Sequence, residues 1–257
     1  MRVLVTGAAG FLGREVCVAL AARGHEVVAA GHNAEYPVDF RLIELVAELF
    51  RESQPDGVVH LAGTSRPEAG ERGPAELQSE NIVHPLLNVL DCAGSKRVLH
   101  VSSAAVYGSG ATDEAGAPRP DELYGAARAS AEALALRRAA RFGQDLLIVR
   151  PFFLLGPRMH PASEVGGWYA DHAAGLPIAA LDLDAPRDVL DVRDAARGVV
   201  AVVEGGESGR ATNLCSQRAL TARALLERLF RGAPVVEAPT RRAPRSRVGS
   251  CPAAAAL

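Results

Sequence analysis

The chain has 257 residues, 28 Lys and Arg against 30 Asp and Glu, a formal net charge of −2, and a 48% apolar and 23% charged composition. That length suits one sizeable core with a smaller appended lobe, and the near-neutral balance gives no electrostatic case for nucleic acid or anionic lipid as a partner. A small-molecule ligand is expected. Cys17, Cys92, Cys215 and Cys251 lie far apart without a CxxC spacing, so no metal site and no disulfide framework is expected. The opening MRVLVTGAAG lacks the apolar stretch of a signal peptide, and no later run reaches the roughly 18 apolar residues of a membrane span. The expected compartment is the cytoplasm.

In chain order, short apolar runs alternate with helical periodicity. Residues 3–5, 26–30, 57–61, 97–101 and 146–149 read as buried strands, and the stretches 11–23, 41–52, 74–93 and 121–142 between them read as helices. Alternating strand and helix predicts a doubly wound α/β Rossmann fold with a parallel sheet. After Pro151 the pattern becomes punctuated by Pro and Gly, then yields a strand and helix within 189–203 and a strand-like 212–215. The expected division is a dinucleotide-binding Rossmann domain of residues 1–155 and 186–217, with a small discontinuous substrate lobe of 156–185 and 218–257. The stretch from Ala233 onward, with arginines at 241, 242, 245 and 247, shows no periodicity and reads as a solvated tail.

The strongest local signal is TGAAGFLG, residues 6–13, between the first strand and the first helix. In that setting Gly7 permits a tight turn, Gly10 lets backbone approach a pyrophosphate, and Gly13 allows close helix–strand packing, while the helix N-terminus offers free N–H groups to the anion. A nicotinamide dinucleotide is the expected ligand. An acidic residue that would end the second strand in NAD-preferring versions is replaced by Gly31-His32-Asn33, which with Arg14 nearby tilts the choice to NADP(H) over NAD(H).

Ser103 follows the fourth strand, where ligands bind in open α/β sheets, and Tyr124 stands four residues before Arg128 at the start of a long helix. Residues at that spacing share a helix face, so the cation would stabilise a phenolate. Asp191 and Asp194 have the spacing of helix caps. His60 and His100 lie at strand ends and His84 and His160 have no partner at metal-ligand spacing, so each reads as a packed or surface histidine, while Trp168 and Tyr169 suit core packing or a substrate pocket equally.

Together these residues resemble the extended short-chain dehydrogenase/reductases, the NAD-dependent epimerase/dehydratase family, over nearly the whole chain. TGAAGFLG resembles the family's TGxxGxxG, HLAG (60–63) its HLAA, SSAAVYG (102–108) its SSxxVYG, and YGAAR (124–128) its YGxSK. Asn81 resembles its helix asparagine, RPF (150–152) its RPxN and RDVLDV (187–192) its RDFxxV. The resemblance leans toward the GDP-4-keto-6-deoxymannose reductases.

It implies Ser103, Tyr124 and Arg128 as catalytic residues, with Ser103 and Arg187 touching substrate. The cofactor would be bound by Gly7, Ala9, Gly10, Phe11, Leu12 and Gly13, by Asp39 and Phe40 at the adenine, by Leu61, Ala62, Gly63 and Val101, and by Tyr124, Arg128, Pro151 and Phe153. Arg128 stands where the family has lysine, and Phe153 where it has asparagine. The implied activity is reduction of a 4-keto group on a nucleotide-activated deoxysugar or related metabolite, with Tyr124 as proton donor. An epimerase or dehydratase and a non-catalytic dinucleotide sensor are the alternatives. The resemblance also implies a homodimer joined through the helices of 74–93 and 121–142.

Overall fold

The computed structural model describes residues 1–63, 79–109 and 112–237. Six parallel strands form the main sheet: β1 (Arg2–Thr6), β2 (Glu26–Ala30), β3 (Gly57–His60), β4 (Arg97–Val101), β5 (Leu146–Pro151) and β9 (Ala211–Leu214), in the order β2-β1-β3-β4-β5-β9. The expected Rossmann sheet is thus present. Side chains of successive strand residues point to opposite faces. Val3, Val5, Val59, Leu99, Val101, Leu147 and Val149 therefore pack with helices α1 (Phe11–Ala22) and α6 (Val192–Gly205). Leu4, Val28, Val58, Val98, Leu146 and Ile148 face α2 (Ile43–Ser53), α3 (His84–Ala93) and α4 (Leu123–Phe142). Both faces are covered, which is why the strands read as continuous apolar runs rather than as alternating ones.

The order reverses between β1 and β3, on either side of which the chain crosses to opposite edges. The crevice at the C-terminal ends of these strands is where an open α/β sheet takes a ligand. The glycine turn after β1, the segment after β3 and the Ser103 turn after β4 all open there. A π-helical turn, Ser79–Val83, leads into α3, and a 3₁₀ turn, Ala104–Tyr107, follows β4.

The small lobe holds the sheet β10 (Ala219–Thr221), β8 (Pro186–Asp191), β6 (Phe153–Leu155), the parallel pair β7 (Ile178–Ala180) and β11 (Val235–Glu237), and helices α5 (Glu164–Ala173) and α7 (Ala222–Leu229). Its core is built around Trp168, Ile178, Leu225, Leu226 and Phe230. β6 pairs with β8 and β8 with β10, in a sheet separate from the main one, and Phe153, Leu155 and Val189 pack against the Trp168 cluster. One expectation is corrected here. The stretch after Ala233 is not uniformly irregular, since Val235–Glu237 aligns with β7. The arginines at 241, 242, 245 and 247 and Cys251 lie outside the described residues. Asp191 caps α6 by accepting from the Arg193 N–H at 2.8 Å, as its spacing suggested. None of the described helices is long and apolar enough to cross a membrane.

Two histidines are fully buried beneath the ligand crevice. His60 and His100 are register partners on β3 and β4, with ring centroids 5.8 Å apart. The Thr6 hydroxyl oxygen accepts from Leu61 N–H (3.1 Å) and Ala62 N–H (3.0 Å), so its own proton goes to His60 Nδ1 at 2.9 Å and the imidazole proton sits on Nε2. Burial, reinforced by the Arg128 charge, pushes His60 down to about 3 and holds His100 well below the ordinary histidine range. Both are therefore neutral in the fold. Since unfolded histidines take up protons below about pH 6.5 and these do not, stability is full above that pH and falls as the solution is acidified. We expect a loss of roughly 2 kcal/mol per buried histidine between pH 6.5 and pH 5. His100→Phe, which removes ring nitrogens that have no hydrogen-bond partner among the described residues, should flatten that slope in urea titrations at the two pH values. An unchanged slope would refute the assignment.

Candidate active site

The turn after β1 is shaped by what its glycines leave out. Gly7 adopts φ +68°, and a Cβ there would stand 2.9 Å from the Ala62 nitrogen, while a Cβ on Gly13 would overlap the Gly7 carbonyl oxygen. The turn closes through Gly10 N–H to the Gly7 carbonyl at 2.9 Å and brings Ala9, Phe11 and Leu12 to the start of α1. That helix begins without a capping side chain and without an acidic residue in its first turn, and the Arg14 guanidinium folds back to the Ala9 carbonyl at 2.8 Å. A positive helix end left uncapped beside a cation fits a pyrophosphate.

The opposite wall of the crevice is Leu61-Ala62-Gly63. Thr6 clamps its first two amides, and a Cβ on Gly63 would stand 2.7 Å from the Asn81 carbonyl oxygen, so the segment runs between β1 and the π-helical turn. Past β2, Tyr36 bridges to Ala30 and leads to Asp39 and Phe40. Arg41 grips Asp39 through both carboxylate oxygens (2.9 and 2.6 Å), and these hydrogen bonds hold the carboxyl down to about 2. The Phe40 ring is buried edge-on to His60, so the side chain itself is core.

At the C-terminal end of β4, Ser103 caps the 3₁₀ turn by accepting from Ala105 N–H at 3.1 Å, which fixes its rotamer. This turn lies against the start of α4, where a Cβ on Gly125 would overlap the Ala105 carbonyl oxygen. Tyr124 and Arg128 sit one helical turn apart and are both buried, at 5% and 4% exposure. Arg128 Nε donates to the Tyr124 hydroxyl oxygen at 3.2 Å and Nη1 to the Val101 carbonyl at 3.2 Å. In this bond the phenol accepts, so its own O–H is not used. Serine turn, tyrosine and cation are thereby assembled at one strand end, as the i, i+4 spacing suggested.

Pro151 is buried at the end of β5, and the next strand turns the Phe153 ring into the small-lobe core. Arg187 donates to Glu164 Oε1 at 2.9 Å and to the carbonyls of Leu181, Asp182 and Ala185, pinning the 181–185 turn to the first turn of α5. Trp168 is core at 1% exposure, whereas Tyr169 is half exposed and packs edge-on to Phe230 at 4.8 Å. No group of three His, Cys, Asp or Glu residues suited to a metal exists among the described residues. The sequence reading missed the roles of Thr6 and of a buried polar cluster, Glu132, Arg150, Tyr107 and Asn213. The available signals were a hydroxyl just before Gly7 and charges set in an apolar strand and an alanine-rich helix face.

The Gly13 contact yields a direct test of the crevice. Gly13→Ala should weaken dinucleotide affinity by about tenfold or more, because the added methyl spreads the turn whose amides face the anion. Gly24→Ala, whose Cβ meets nothing within 4 Å, is the control for general destabilisation. Isothermal titration with both NAD(H) and NADP(H) reads the effect, and equal affinities in the two variants would remove the glycine turn from the site.

Comparison with known proteins agrees with this geometry. Residues 3–215 match the model of the NAD dependent epimerase/dehydratase family. A GDP-6-deoxy-D-mannose reductase of Pseudomonas aeruginosa is 32% identical over 89% of this chain and 79% of its own length. Among solved structures, RMD from Pseudomonas aeruginosa complexed with NADPH is 28% identical with a TM-score of 0.87, covering 99% of this chain and 91% of that one. The Thermus thermophilus UDP-glucose 4-epimerase complexed with NAD is 26% identical with a TM-score of 0.90, covering 100% and 92%. With its glycine turn, its serine turn and its Tyr124–Arg128 pair in the matched span, the chain belongs to the NAD-dependent epimerase/dehydratase family, the extended short-chain dehydrogenase/reductases, and is an NAD(P)-dependent enzyme.

Proposed function

We propose that the protein reduces a 4-keto group on a nucleotide-activated deoxysugar or a related metabolite. The observation that carries this reading is the buried hydrogen bond from Arg128 to the Tyr124 oxygen beside the Ser103 turn. Ser103 donates to the substrate carbonyl oxygen. Tyr124 delivers its proton to that oxygen as charge develops on it, and Arg128 stabilises the phenolate left behind. A bound dinucleotide supplies the hydride. An arginine is effectively never deprotonated, so Tyr124 is reloaded by water or the ribose hydroxyl rather than through Arg128.

Gly7, Ala9, Gly10, Phe11, Leu12 and Gly13 would hold the pyrophosphate of the dinucleotide, and Asp39 with the Phe40 backbone would hold its adenosine. Leu61, Ala62, Gly63 and Val101 would line it, and Pro151 with the Phe153 backbone would border its nicotinamide end, the Phe40 and Phe153 rings being packed in apolar cores. NADP(H) is favoured over NAD(H), since β2 is followed by Gly31-His32-Asn33 without a carboxylate to repel a 2′-phosphate.

Consumption of reduced cofactor against 4-keto nucleotide sugars tests the reading. Tyr124→Phe should abolish turnover while sparing cofactor affinity, Arg128→Ala should lose about tenfold or more, and Arg128→Lys should match or exceed the native rate. Turnover without net cofactor consumption would identify an epimerase instead, and cofactor binding with no turnover in any variant a sensor.

The enzyme works as a homodimer through α3 and α4. Support comes from the outward face of α4, where Leu123, Leu134 and Phe142 are 41%, 49% and 64% exposed, and from the Arg138–Asp91 ion pair that holds the two helices together as one surface. Light scattering at micromolar concentration should give twice the chain mass, and Leu134→Glu should halve it. A monomeric native protein would end the proposal.

A further inference from the structure

The buried polar cluster behind the Ser103 turn has no part in the chemistry just described. Arg150, on β5, reaches Glu132 of α4 with a two-pronged contact, Nε to Oε1 at 3.1 Å and Nη2 to Oε2 at 2.6 Å. Its Nη1 donates to the Tyr107 hydroxyl at 2.7 Å, which donates onward to Asn213 Oδ1 at 2.8 Å. Asn213, on β9, then passes its amide hydrogens to the Thr112 carbonyl (2.8 Å) and to Glu114 (2.6 Å, from the backbone N–H). The arginine, glutamate, tyrosine and asparagine are 4%, 2%, 1% and 0% exposed. Desolvation alone would make the guanidinium easier to deprotonate, but the Glu132 contact overrides it and raises Arg150 above its ordinary value, while burial raises Tyr107 and keeps it a neutral donor. From Arg150 through Tyr107 to Asn213 the hydrogen bonds are donated in one direction.

The two ends that Arg150 holds are the two carriers of the site. Tyr107 is the last residue of the four-residue turn that Ser103 caps. Glu132 lies one helical turn beyond Arg128 and two beyond Tyr124, on the same buried stripe of α4. A buried ion pair gains little net stability over apolar side chains of the same volume, so its best-founded use is to fix register. Resting on the reductase reading above, we propose that Arg150 and Glu132 are positioning residues, which through Tyr107 set the distance between the Ser103 hydroxyl and the Tyr124 phenol.

Tyr107→Phe is the cleanest probe, since it deletes one hydroxyl and leaves the Arg150–Glu132 contact whole. The expected result is a kcat lowered by about tenfold or more with KM and dinucleotide Kd within about threefold, because misplacement by about an ångström penalises the reacting geometry rather than binding. Amide exchange at Val106 and Gly108, whose N–H groups close the Ser103 turn, should quicken while that of α1 stays native. The paired variant Glu132→Met with Arg150→Met, an apolar replacement of similar volume, should keep the native Tm but not recover kcat. Native kcat and native exchange in Tyr107→Phe would overturn the proposal, as would recovery of kcat together with Tm in the paired variant. If the native protein reduces no 4-keto substrate, the reductase reading falls by itself. The exchange measurement then still decides whether the cluster places the Ser103 turn.

Discussion

The buried Arg128 ties the end of β4 to the helix that carries Tyr124. Arg128 reaches down to the carbonyl ending β4 and across to the Tyr124 oxygen, so strand end, helix face and phenol share one guanidinium. A lysine is a point charge on a flexible stem, whereas this planar head has a fixed fork of donors and loses less freedom per hydrogen bond formed. The arrangement therefore keeps the charge beside the phenol while adding rigidity. The same charge is felt by His60 and His100 below it, which are already disfavoured as cations by burial. The layer beneath the crevice stays neutral, and Arg128 carries its charge above two uncharged imidazoles.

Much of this was legible in the residues because it rests on local rules. The parallel sheet follows from apolar runs separated by helical periodicity, and the glycine turn from Gly7 and Gly13, where a Cβ would crowd backbone atoms. The Tyr124–Arg128 contact follows from i, i+4 geometry. What stayed hidden depends on partners distant in sequence. Arg150 and Glu132 are 18 residues apart, and Tyr107 lies 106 positions from Asn213, so nothing local to any of them announces the cluster. Thr6 is a similar case, since its hydroxyl serves amides 55 and 56 residues away.

The small lobe was the least legible part for a related reason. Its strands are three to six residues long, and β6 and β8 read by themselves like continuations of the Rossmann pattern. Only the side chains' destinations separate them: Phe153, Leu155 and Val189 enter the Trp168 core, while the neighbouring Leu147, Val149 and Leu214 enter the main one. Arg187 shows the same limit. Its motif says nothing of the four oxygen acceptors, spread from Glu164 to Ala185, through which its side chain braces a turn of its own lobe.

Trp168 is the chain's one tryptophan, and it lies at the centre of that small-lobe core. The molecule therefore carries an optical label confined to one lobe. Indole emission reports the packing of α5 against β7 and α7 and is blind to the six-stranded sheet, whose order is read by far-ultraviolet circular dichroism. Superimposable melting curves from the two signals would mean that the lobes lose structure as one cooperative unit, and separated curves that each has its own transition. The indole N–H is buried without a hydrogen-bond acceptor among the described residues, so its emission should be blue-shifted in the folded chain and move to the red when water reaches that one core.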